Sequence, residues 1–226
     1  MKNKVFASWS GGKDGCLACY RAASRGLDIR YLVNMVTEDG TRSCSHGISA
    51  EVLRMQAQAI DIPLLQRKTS RETYEAEYKN AIRFMKQEGI SGGVFGDIDF
   101  NPHREWIERL CRDTDIVPYL PLWEESQDKL IHEFVDAGFV SVVVAARKDF
   151  FGEEILGKPI DNAFIQRLEQ MKNITLCGEA GEYHTLVIDG PIFQKKLEIT
   201  GAYHTSRSSN WFLEVTGAEL WDKPAK

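Results

Sequence analysis

Over residues 1–120, short apolar or β-branched runs alternate with stretches whose apolar positions recur every three or four residues. Val5 to Trp9 reads as a first strand, followed by a turn at Ser10 to Gly15 and a helix that ends near Gly26. Ile29 to Val36 reads as a second strand. Ile48, Val52, Met55 and Ala59 mark one helix face, and Ile62-Pro63 stops that helix. Leu64-Leu65 opens a short third strand, Tyr74, Tyr78, Ala81 and Met85 trace the next helix up to Gly89, and Gly93 to Gly96 reads as a fourth strand. Trp106, Leu110 and Cys111 line the helix after it. Alternation of this kind predicts βαβ units around a mostly parallel sheet buried on both faces.

The rhythm breaks between Pro118 and Trp123, where two prolines fall close together. A helix carrying Leu130, Phe134 and Val135 follows, then Phe139 to Ala146, the most apolar strand of the chain. Past Lys148 the pattern predicts a loop, a helix over Ala163 to Met171, and strands at Tyr183 to Asp189, Lys195 to Ala202 and Trp211 to Thr216. The expected organisation is an α/β domain over residues 1–120 and a smaller α+β domain, partly antiparallel, over residues 121–226.

The first turn carries the clearest chemistry. Ser10-Gly11-Gly12-Lys13-Asp14 joins the first strand directly to the first helix, where free backbone N–H groups and the positive end of the helix dipole converge on an anion. Glycines allow close approach, Ser10 offers a hydroxyl, Lys13 a point charge, and Asp14 a carboxylate for Mg²⁺. Lys13 and Asp14 are expected to project from an exposed loop. The turn lacks the spacing and the Ser or Thr of a Walker loop. A stretch with that spacing, Gly152 to Pro159, has proline in place of the hydroxyl residue and two glutamates that repel phosphate.

Trp9-Ser10-Gly11-Gly12-Lys13-Asp14 resembles the SGGxDS loop of the PP-loop ATP pyrophosphatases. Further segments are similar to the diphthine–ammonia ligase family within that class. They are Ser45-His46-Gly47, Met55-Gln56-Ala57-Gln58 with Ile62-Pro63-Leu64, Gly96-Asp97-Ile98, His103-Arg104-Glu105-Trp106 and Leu120-Pro121-Leu122-Trp123. Gly178-Glu179-Ala180-Gly181-Glu182-Tyr183-His184-Thr185, with Asp189-Gly190-Pro191, resembles that family's C-terminal signature. The resemblance implies a Rossmann-like ATP domain with a smaller C-terminal domain. It also implies a reaction: ATP activates the carboxylate of diphthine, a modified histidine of translation elongation factor 2, releasing pyrophosphate, and ammonia then displaces AMP to give an amide. ATP and Mg²⁺ are the implied cofactors, with ammonia or ammonium and elongation factor 2 as partners. The chain departs from the pattern at Gly15, where the loop's last Ser is usual, and at Ala180 and His184, a form associated with bacterial members. That form leaves another substrate, for example in cobalamin salvage, as an alternative.

On this reading Ser10, Gly11, Gly12, Lys13, Asp14, Gly15, His46 and Gly96 bind ATP. Lys13, Asp14, Asp97, Glu179, Glu182 and His184 are the candidate catalytic groups. Asp97 lies at the C-terminal end of the fourth strand, the edge where open parallel sheets bind ligands. Arg104, one turn into the next helix, is a candidate bidentate clamp for a phosphate or carboxylate of the substrate. Glu179, Glu182 and His184 crowd around two glycines, a group suited to binding ammonium, steering its deprotonation, or ligating Mg²⁺.

Composition narrows the remaining readings. A net charge of −5 argues against a broad nucleic-acid surface and hence against tRNA sulfur transfer, which also needs catalytic cysteines. Cys16 and Cys19 share a helix face with Ala23, a pattern expected for packing onto a sheet. Five cysteines without a disulfide framework, and no membrane-length apolar run or leader pattern, give a cytoplasmic expectation. A nucleotide-binding domain without turnover is the non-enzyme alternative, against which the ionisable C-terminal cluster argues.

Overall fold

The computed structural model describes residues 3–224. Its N-terminal half contains five parallel strands, β1 (Lys4–Ser8), β2 (Asp28–Val36), β3 (Leu64–Lys68), β4 (Gly92–Val94) and β5 (Val117–Tyr119), in the order β3-β2-β1-β4-β5. Four helices connect them: α1 (Lys13–Ser24), α2 (Ala50–Ile60), α3 (Tyr74–Lys86) and α4 (Asn101–Thr114). The alternation along β1 explains the layers. Phe6 points into a cluster with Tyr78, Ile82, Ile107 and Leu110 of α3 and α4, whereas Val5 and Ala7 join the opposite face with α1. This is a Rossmann-like α/β unit.

The C-terminal half adds α5 (Gln127–Asp136), α6 (Asn162–Glu169) and four antiparallel strands, β6 (Val140–Arg147), β7 (Tyr183–Asp189), β8 (Lys195–Arg207) and β9 (Asn210–Asp222), in the order β7-β6-β9-β8. This second sheet does not bury a separate core. Residues of β1 and α1 share one cluster with Phe134, Phe139, Val143, Tyr183 and Val187, and α2 packs Val52 and Leu53 against Val144, Leu186 and Leu197. Helices α1 and α2 are thus held between the two sheets.

Two elements differ from the pattern reading. The break expected near Pro118 is itself a strand, tolerated because β5 is the last strand of its sheet and proline leaves a missing donor there. Strands β8 and β9 run well beyond the expected Lys195 to Ala202 and Trp211 to Thr216, as a long two-stranded ribbon in which β8 is mostly exposed and β9 mostly half-buried. No helix among the described residues is long and apolar enough to cross a membrane.

Candidate functional site

Strand order reverses at β1, which pairs with β2 on one side and β4 on the other. The C-terminal ends of β1 and β4 therefore lie side by side, the place where open α/β sheets receive ligands. After β1 the chain turns through Trp9 to Gly12, and α1 starts at Lys13 with Gly12 as its N-cap. Gly11 takes φ +82°, the left-handed region, and a Cβ there would lie 2.4 Å from Leu53 Cδ2. Gly96 permits a second close approach, since its Cβ would lie 2.8 Å from the Gly15 nitrogen and 2.9 Å from the Asp14 carbonyl carbon. At Gly15 a Cβ would meet nothing closer than 3.6 Å.

Gln56 of α2 fixes the turn from behind. Fully buried, it accepts from Trp9 Nε1 at 2.8 Å and donates to the carbonyls of Gly11 at 2.9 Å and Val187 at 2.7 Å. One amide thus ties the loop, α2 and β7 together. The Val187 N–H also donates to the Gly11 carbonyl at 3.0 Å, and the Lys13 N–H donates to Thr185 Oγ1 at 3.0 Å.

Lys13 departs from the expectation of an exposed loop. It is 4% exposed, and its ammonium donates to both Asp14 carboxylate oxygens, at 3.0 and 2.8 Å, and to the Cys177 carbonyl. Burial opposes the charge, but Asp14, together with Tyr183 and Cys177, outweighs burial and raises the pKa of Lys13 above the ordinary lysine value. Its ammonium also lies 5.2 Å from the Tyr183 ring centroid. The reason is the second half of the chain, which closes over the helix N-terminus.

Between the halves lies a cleft of about 660 Å³, within the usual range for small-molecule sites. Ser10, Lys13, Asp14, Gly15, His46 and Gly96 line it on the loop side, Asp97 at the end of β4, and Glu179 and His184 on the C-terminal side. Gly11 and Gly12 form the turn behind that lining. Burial, with Asp14 close by, pushes the Glu179 carboxyl up to about 7. Burial, reinforced by Lys13, pushes the His184 imidazole down to about 4, so its ring is neutral at physiological pH and a weak base. His184 stacks on His46, with centroids 4.5 Å apart and planes at 26°, and His46 is held well below the ordinary histidine value, by burial first and then by His184.

Two expected residues do not reach the cleft. Glu182, 1% exposed, turns its carboxylate back to Thr175 and accepts from that residue's N–H at 2.6 Å and its hydroxyl at 2.9 Å. It holds the loop in shape. Arg104 lies over the Trp123 ring at 4.9 Å and pairs with Glu108 at 2.8 Å and Glu124 at 3.6 Å, outside the cleft lining.

The structure adds residues that pattern reading assigned elsewhere. Tyr74, Tyr78 and Trp106 read as helix-core positions, yet where α3 and α4 meet the sheet edge they also wall the cleft. His103 bonds Asp97 at 3.1 Å, and that contact raises its pKa. The only signal for His103 was its place beside Asp97 in the family-like segment. Cys16 and Cys19 are buried free thiols, and burial pushes Cys19 up to about 12, the opposite of an activated thiol.

Asp14 and Asp97 are oxygen donors of the kind Mg²⁺ takes, but Asp14 is committed to Lys13. Among the described residues, three potential metal ligands converge at Asp128, His132 and Glu169, on α5 and α6 outside the cleft. A Mg²⁺ in the cleft therefore fits as an ion carried by a nucleotide and steadied by Asp14 or Asp97, rather than as one caged by protein.

Comparison with known proteins matches both halves of the chain. Residues 3–118 match the diphthamide synthase N-terminal domain family, and residues 126–220 the diphthamide synthase C-terminal domain family. A diphthine–ammonia ligase of Schizosaccharomyces pombe is 27% identical over 98% of this chain, which spans 40% of that longer protein. One of Bos taurus is 25% identical over 94% of this chain and 88% of its own length. A solved structure described as a predicted subunit of tRNA methyltransferase from Methanocaldococcus jannaschii is 15% identical, covering 83% of this chain and 97% of its own, with a TM-score of 0.45. With both of its halves matched in order, the chain belongs to the diphthine–ammonia ligase family.

Proposed function

We propose that this chain is an ATP-dependent carbon–nitrogen ligase that forms AMP and pyrophosphate. The phosphates of ATP occupy the turn from Ser10 to Lys13. A carboxylate oxygen of the acceptor attacks the α-phosphorus, and pyrophosphate leaves. The nitrogen lone pair of ammonia then attacks the acyl carbon of the adenylate, AMP leaves, and the proton lost from nitrogen passes to a carboxylate. Glu179 suits that last role: it faces the cleft, and its pKa of about 7 lets it hold or release a proton near neutrality. When bound, Mg²⁺ offsets phosphate charge, and Asp14 or Asp97 would hold it.

The observation that carries this reading is the closure of the segment from Cys177 to Thr185 over the phosphate turn, through the Cys177 carbonyl on Lys13 Nζ and Thr185 on the Lys13 N–H. An adenylate formed at the turn would share the cleft with Glu179. The acceptor we propose is the family's own, the carboxylate of diphthine on elongation factor 2. His184, a departure from the diphthamide-type signature that lies inside the cleft, favours a second reading with a different carboxylate acceptor. Incubation with ATP, ammonium and diphthine-bearing elongation factor 2, followed by chromatography of the spent nucleotide, tests both. AMP with amidated factor is expected; ADP would exclude the adenylate route, and AMP formed only with another carboxylate would select the second reading.

A further inference from the structure

The charge of the cleft is poorly matched to the polyanion that the proposed reaction requires. Among the described residues lining it, Lys13 is the one lysine or arginine, and its ammonium is already bonded to Asp14 and the Cys177 carbonyl. Asp14, Asp97 and Glu179 add carboxylates to the same space. Two backbone donors of the turn are engaged as well: the Gly12 N–H with Ser10 Oγ at 3.3 Å and the Lys13 N–H with Thr185 Oγ1 at 3.0 Å.

Of the stacked imidazoles, His46 is engaged by the Thr185 backbone but leaves its Nδ1 without a partner. His46 sits directly over the turn, because a Cβ built on Gly12 would lie 2.6 Å from His46 Cε1 and 3.1 Å from His46 Nδ1. That Nδ1 is shielded from solvent and has no hydrogen-bond partner. His184 covers the other face of the His46 ring and also lines the cleft. The charged groups that act on the pair are few. Lys13 of α1 repels a proton on either ring, a charged His184 repels one on His46, the Thr185 backbone favours one on His46, and Glu182 of the preceding loop favours one on His184. Both rings are therefore neutral near physiological pH. A phosphate chain beside them reverses the balance, since its negative charge favours the imidazolium form.

We propose that binding of a nucleotide polyphosphate is coupled to uptake of a proton from solvent by the His46–His184 stack, which becomes a cationic clamp over the phosphate turn. This rests on the phosphate-turn reading of Ser10 to Lys13. One proton per stack is expected, because two imidazolium rings with centroids 4.5 Å apart repel each other. The new N–H donates to a phosphate oxygen, and ring stacking shares the orientation between the two residues. The sign follows from linkage. The complex binds more protons than the free protein, so affinity rises as pH falls, by at most about tenfold per pH unit for one proton.

Calorimetric titration of the full chain with metal-free ATP, and with pyrophosphate, in buffers of different ionisation enthalpy near neutral pH tests this. Net proton uptake is expected in the wild type. Glu179 titrates near 7 in the same cleft and takes up part of it, so Glu179→Gln should lose only that part. The uptake that remains should disappear when His46→Gln or His184→Gln is added to Glu179→Gln. Histidine ring resonances of the wild type, followed through pH with and without pyrophosphate, give a second reading independent of any variant, with a raised pKa expected for one ring. Binding heats equal in all buffers would overturn the proposal. Uptake lost entirely in Glu179→Gln, or kept when either histidine substitution is added to it, would also overturn it. If neither ATP nor pyrophosphate binds, the phosphate-turn reading fails, and this inference fails with it.

Discussion

At the scale of single residues, burial decides what each ionisable group can do. Lys13 is an internal cation bonded to Asp14 and to a carbonyl from the far half of the chain. Lys13→Ala should therefore lower stability as well as remove nucleotide binding. Breaking a buried pair strands its partner, and a loss of about 3 kcal/mol is expected, measured by urea unfolding. Activity loss in this variant should be compared with the fraction still folded. Glu179 and Glu182 separate in the same way. Glu179→Gln should raise the ammonium needed for half-maximal rate and remove the limb of the rate profile that rises with pH through about 7. It should also change stability with a definite sign. The Glu179 pKa is raised on folding from 4.5 to about 7, so the folded state binds more protons between those values and loses stability as pH rises through them. The glutamine variant should lose less, visible as a smaller fall in Tm across that window. Glu182→Gln should leave the ammonium requirement unchanged and instead loosen the Thr175 loop, measured as faster amide exchange there.

At the scale of elements, the site depends on contacts that join distant stretches of chain. Gln56 bonds Trp9, Gly11 and Val187 without lining the cleft. Gln56→Ala leaves the Trp9 indole N–H and the Val187 carbonyl without their Gln56 partner, while the Gly11 carbonyl keeps the Val187 N–H, a cost of about 3 kcal/mol, or a fall of roughly 9 °C in Tm for a chain of this size. ATP affinity should fall too, because the turn loses its backing; a thermal-shift titration measures both. The turn between β1 and α1 was legible in the sequence because a strand, a glycine turn and a helix start are local, and the helix faces of α2, α3 and α4 were legible from their spacing. Thr185 against Lys13 was not, since a bond across 172 positions leaves no periodicity. Nor could spacing tell Glu179 from Glu182, three residues apart beside two glycines, when one faces the cleft and the other folds back on its loop. The end of β8 was hidden because its last residues, from Ala202 to Arg207, are mostly exposed and need no alternation of apolar residues.

At the scale of the whole molecule, the two sheets differ in topology but not in core. Val5, Ala7 and Leu17 pack in one cluster with Phe134, Val143, Tyr183 and Val187, so α1 is covered from both sides. Helix α2 likewise buries Val52 and Leu53 against the antiparallel sheet. Removing residues 121–226 would uncover those faces and strip partners from the Gly11 and Ala59 carbonyls, which accept from Val187 and Gln194. The expected outcome is that residues 1–120 alone retain much of their helical circular dichroism but lose the near-ultraviolet signal and bind hydrophobic dyes, as a chain with an unfilled core does. For the full chain the same continuity predicts one calorimetric unfolding transition, with calorimetric and van't Hoff enthalpies equal. ATP should move that single transition upward as a unit, because a ligand held by residues of both halves stabilises the folded chain by mass action. Two resolved transitions, of which ATP shifted only one, would mean that the core is divided and that the cleft closes by docking of independent domains.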